Sequence, residues 1–199
     1  MALLCLLCAA PGAVAAPPGQ RDPDWPCQQI KVPELSLAGV WSGPGFDPQQ
    51  IDWKQDSDVA DLVQRVAPRR EPINQAESLI HDFAQRAGEQ RQTKLLAVLS
   101  GIFSELSGER DSVIAGLDRF GRRQKELAAQ IRQDNDKLHA LQTDSTSDAN
   151  AVERMTEQVK WEAEVFQDRR QALSYACDVP AKIEQRLYGL AQAIQRELG

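Results

Sequence analysis

From Val113 to Leu141 the chain steps by alternating fours and threes without a break. The positions are Val113, Leu117, Phe120, Gln124, Leu127, Ile131, Asp134, Leu138 and Leu141, and all but Gln124 and Asp134 are apolar. This is a heptad seam, the spacing that keeps one edge of a helix against a partner helix. A polar stretch follows, Thr143 to Asn150, and then a second seam through Val152, Met155, Val159, Glu162, Phe166, Arg169, Leu173 and Ala176. Folded back as an antiparallel hairpin, the two seams pair residues whose numbers add to 293. Five layers are apolar: Leu141 with Val152, Leu138 with Met155, Leu127 with Phe166, Phe120 with Leu173 and Leu117 with Ala176. Three contain polar residues: Gln124 faces Arg169, Asp134 faces Val159 and Glu162 faces Ile131. Polar seam residues commonly lower stability while fixing register or partner choice.

The hairpin is expected over residues 109–177, within an all-α helical bundle spanning 58–199. Ser57 can cap a short helix from Asp58 to about Val66, which Pro68 stops. Pro72 suits the start of the next helix, where Ile73, Ala76, Ile80, Phe83 and Ala87 form one apolar edge. Leu95 to Leu99 with Ile102 and Phe103 are apolar nearly all round, so this segment should be the most buried. Ser107-Gly108 reads as a helix end, with unbroken helix through Gly108 as the alternative. Pro180 interrupts the return arm, and a last helix over 180–198 carries Ile183, Leu187, Leu190, Ile194 and Leu198 on one face.

The first 57 residues read differently. Residues 1–16, MALLCLLCAAPGAVAA, have the apolar run and small-residue end of a signal peptide, though no basic residues precede the run. Cleavage is expected after Ala15 or Ala16, and a periplasmic or secreted protein follows from that reading. No later stretch reaches the roughly 18 apolar residues of a membrane-spanning helix. Residues 17–57 hold most of the prolines and three of the four tryptophans, which argues an extended arm with turns. Trp25, Trp41 and Trp53 are either anchors laying that arm on the helices or the walls of a small-ligand pocket. Cys5 and Cys8 fall in the leader, leaving Cys27 and Cys177 as a disulfide pair in an oxidising compartment.

Function is less legible than architecture. The net charge of -6 argues against a broad nucleic-acid surface, and Arg119, Arg122, Arg123 and Lys125 read as a solvated helix face. The two histidines, His81 and His139, each stand one helical turn after a carboxylate, Glu77 and Asp136, as surface salt links commonly do. No nucleotide-binding, hydrolase or zinc-protease signature occurs. The expectation is a non-enzymatic exported interaction protein without cofactor or metal, a scaffold, adaptor or chaperone-like subunit. It would bind a protein partner, or itself, through Gln124, Trp161, Glu162 and Arg169. The alternatives are a ligand binder built on the three tryptophans and, third, an enzyme.

Overall fold

The computed structural model describes residues 22–199, so the signal-peptide reading, with Cys5 and Cys8, lies outside the described residues. Among these residues all regular structure is helical. Five α-helices follow the arm: α1 Ser57–Val66, α2 Ile73–Arg86, α3 Arg91–Thr143, α4 Ala149–Cys177 and α5 Val179–Leu198. The arm itself holds only two short 3-10 turns, Leu37–Gly39 and Pro48–Gln50.

Helix α1 starts one residue earlier than expected, and its cap is Asp56 rather than Ser57. The Asp56 carboxylate accepts from the backbone N–H groups of Asp58 and Val59, and hydrogen bonding to Lys94 then holds its pKa below the usual range. Pro72 occupies the cap of α2 rather than its first turn. Val59, Val63 and Val66 of α1 and Ala76, Ile80 and Phe83 of α2 turn inward onto Leu95, Val98, Leu99 and Ile102 of α3. Ile183, Leu187, Leu190 and Ile194 of α5 complete this four-helix body. Ile73 departs from the predicted edge: it is 42% exposed, outside the buried core.

The chain does not break at Gly108. Helix α3 runs unbroken through it for 53 residues, about 80 Å at the α-helical rise. The reason is burial. Leu106, Arg110, Ile114 and Leu117 lie on one stripe that straddles the glycine, and all four are covered. Ending the helix there would rotate that stripe away, a larger loss than the roughly 1 kcal/mol a helical glycine costs. The turn falls instead at Gly88, which adopts φ 54 between α2 and α3.

Beyond Leu106, α3 leaves the body and pairs with α4 as the predicted antiparallel hairpin. Every seam residue is at least half covered except Arg169, which is exposed. The polar tip closes tightly: Asp144 accepts from Thr146, and Asp148 caps α4 through the Asn150 N–H. At the other end a single residue, Asp178, separates α4 from α5. It stands at the helix start, but its side chain caps nothing.

The arm folds back along these helices and is bonded to them through Cys27–Cys177, whose Cα atoms are 5.6 Å apart. The arm backbone meets α3 at Gly121, where the Asp24 carbonyl oxygen takes the space a Cβ would need. Lys31 bridges Asp22 and Asp118 at 2.6 and 2.8 Å. Arg122 and Lys125 reach Asp24 at 3.6 and 3.0 Å, so half of the basic patch is a clamp on the arm. Trp41 and Trp53 are buried in the body. The turn at Gly43-Pro44-Gly45 wraps Trp41, whose indole N–H donates to the Pro44 carbonyl at 2.9 Å, and Trp53 packs on the bare backbone of Gly101.

Candidate functional site

Two buried arginines that sequence reasoning passed over tie α5 to the end of α1 and α3 to α5 and the arm. Arg186 of α5 is buried and donates to the carbonyls of Val66, Ala67 and Glu71, closing the C-terminal end of α1. Burial lowers its pKa from the ordinary arginine value, with the charges of Glu71 and Glu109 opposing the shift. Its place three residues after Ile183 and four before Leu190 put it on the inward face, which was the available signal. Arg110, 2% exposed, pairs with Glu184 at 2.6 Å and donates to the Val32 carbonyl of the arm at 2.7 Å. Its inward position is visible only once α3 is known to continue through Gly108.

The hairpin interior is polar where the body is apolar. Asp134 is 1% exposed and accepts from Gln130 and Lys137 at 2.7 Å each and from Gln158 at 3.1 Å. Gln158 also donates to Glu162 Oε1 at 3.1 Å, so the layers predicted as Asp134–Val159 and Glu162–Ile131 merge into one network. Hydrogen bonding from Lys137, and then from Gln130, holds the Asp134 carboxyl below its ordinary pKa against the opposing effect of burial. Glu162 is 6% exposed, and its Oε2 has no partner among the described residues. Gln124 is buried too, but it donates to the Phe166 carbonyl at 3.4 Å rather than meeting Arg169. The long Arg169 side chain reaches solvent, which spares a buried guanidinium its desolvation cost.

One face of the hairpin is uncovered. Counting about 100° per residue around α3 from Leu117, the arm contacts at Asp118, Gly121, Arg122 and Lys125 fall on one side of the seam. Gly116 and Phe120 fall on the other. There Val113, Gly116 and Phe120 of α3 and Ala172 and Ala176 of α4 line an apolar trough that Val179 closes at the base. Trp161 and Tyr175 of α4 are 64% and 71% exposed; Tyr175 lines a cleft with Pro26 to Gln29 of the arm, and Trp161 lies further along the helix. Trp161, foreseen as a candidate contact, is therefore at the surface, whereas Glu162 and Gln124 are interior.

The other candidates are scattered. Trp25 lies apart from the core that takes Trp41 and Trp53; its indole N–H donates to the Gln29 carbonyl at 2.7 Å beneath the Lys31 ammonium. His81 pairs with Glu197 of α5 at 2.9 Å, not with Glu77, which pairs with Arg196. Among the described residues no three metal-binding side chains converge, and no helix is long and apolar enough to cross a membrane.

No protein-family profile, curated protein or solved structure matches this chain. The functional reading therefore rests on the geometry above.

Proposed function

We propose that this chain is a protein-binding module that recruits a helical segment of a partner onto the open face of its hairpin. The observation that carries the reading is the apolar trough from Val113 to Phe120 and Ala172 to Ala176, with Trp161 exposed further along α4. Small residues at Gly116, Ala172 and Ala176 let a third helix approach closely, while large exposed aromatics are the residue types that dominate binding energy. A continuous exposed apolar strip on a rigid two-helix layer is otherwise an aggregation liability. The Cys27–Cys177 bond suits an oxidising, extracytoplasmic setting. Trp41 and Trp53 serve the core, which leaves the small-ligand alternative without a shared wall.

The test places a photo-reactive cross-linking side chain at Ala172 in the trough, with Glu153 on the outward face of α4 as control. Irradiation in the native compartment is expected to trap a defined protein from position 172 only. Equal yields from both positions, or none from 172, would end this reading.

A further inference from the structure

The open face shows the outer column of the α3 seam and, on α4, residues that lie off the seam altogether. Val113, Phe120 and Leu127 recur at intervals of seven along that edge of the α3 seam, and Trp161 and Asp168 stand seven apart on α4. Repeats at this interval along an open edge are what a helix needs to pack against more than one neighbour at once. The flanks differ in charge. On the α3 side stand Arg119 and Arg123; on the α4 side stand Glu164 and Asp168, and all four are exposed. None of them has an ion-pair partner among the described residues, whereas their neighbours Arg122 and Lys125 are held by Asp24. The Arg119 guanidinium lies over the trough, 3.8 Å from where a Cβ on Gly116 would be.

We propose that this face closes on a second copy of the same chain, the two hairpins parallel and each copy's α3 lying over the other's α4. The inference rests on the reading of this face as a protein-binding surface and names its occupant. A foreign acidic helix would satisfy only the arginine flank, and a basic helix only the carboxylate flank. A twofold rotation about a line parallel to the helices satisfies both flanks at once, because each copy supplies what the other lacks. The levels agree without any slip. In the hairpin pairing Arg123 stands level with Arg170, two residues from Asp168. Across the twofold, Arg123 therefore meets the second copy's Asp168. Trp161 is level with Arg132 and comes down beside Ile131 of the other hairpin. The face is about 30 Å by 20 Å, so the pair buries roughly 1,000–1,200 Å² in total, at the lower edge of specific interfaces. The dimer is accordingly weak, with a dissociation constant on the order of micromolar.

Sedimentation equilibrium of the disulfide-bonded chain, run from well below to well above micromolar concentration, reads this directly. The mass should rise from one chain to two, and Trp161 emission should shift to the blue with the same midpoint. Arg123→Glu and Asp168→Arg should each weaken the dimer about tenfold, with helicity unchanged, since both side chains are exposed and the contact occurs twice. The two substitutions combined should recover most of that loss. A chain that stays monomeric throughout overturns the proposal, as does a double variant no tighter than the single ones. A monomer that still traps another protein at Ala172 overturns the self-association alone and leaves the protein-binding reading standing.

Discussion

The body and the hairpin are built from the same helices and obey different rules. In the body every element contributes wholly buried aliphatic side chains, Val63, Ile80, Leu99 and Leu190 among them. In the hairpin beyond Leu117 the covered side chains are Gln124, Asp134 and Glu162, while the aliphatic seam residues Leu127, Leu138 and Val159 remain partly wet. Four helices can surround a side chain and two cannot, so the hairpin gains less from each apolar residue. Its polar layers secure alignment instead, at some cost in stability. Burial supports the body, and the hairpin presents a face.

The comparison breaks most readily under truncation. Leu99→Ala should cost about 3–5 kcal/mol, whereas Leu138→Ala, the same deletion in the hairpin, should cost about 1 kcal/mol. Urea unfolding of the two variants measures the contrast, and equal losses would mean the hairpin is as enclosed as the body. Next in size is the clasp. Cys27–Cys177 closes a loop with a sequence separation of 150, for which chain entropy allows about 5 kcal/mol. Replacing both cysteines with alanine should lower unfolding stability by about 2–4 kcal/mol, and reduction of the native chain should do the same.

A change of opposite sign is expected at the polar layer. Glu162→Leu removes a buried carboxylate with one orphaned oxygen, and it should raise thermal stability by about 1 kcal/mol. A loss instead would show that the Gln158 contact outweighs the buried charge. The smallest effect is on pH dependence. Because Asp134 has its pKa lowered in the folded chain, its stabilisation is present above the unfolded value, about 3.9, and is lost as the pH falls through the folded one. Stability of the native chain should therefore decline below about pH 4, and Asp134→Asn should make that decline shallower. Chemical denaturation across the acid range checks the slope.

Much of this was legible in the chain because it depends on local periodicity. The two seams and their common sum of 293 are arithmetic on residue positions, and the hairpin follows from them. The inward face of α5 and the apolar run at Leu95 were likewise visible as patterns. With only two cysteines after residue 16, the clasp could be anticipated too. The single-residue features misled. Ser107-Gly108 resembles a helix end, yet the helix continues because Leu106 and Arg110 are covered from outside it. Gly88, with no such cover, is where the chain turns.

The sequence by itself determined which residues can share a helix edge, since that follows from backbone geometry common to all helices. Tertiary structure alone decided what covers each edge. It paired His81 with Glu197 rather than Glu77, laid the arm's backbone on Gly121, and tied the end of α1 to Arg186. It also left the Phe120 and Trp161 side of the hairpin open while the arm took the Asp118 side. These outcomes join residues distant in the chain, and close packing, charge pairing and satisfied carbonyls select them only once the helices are in place.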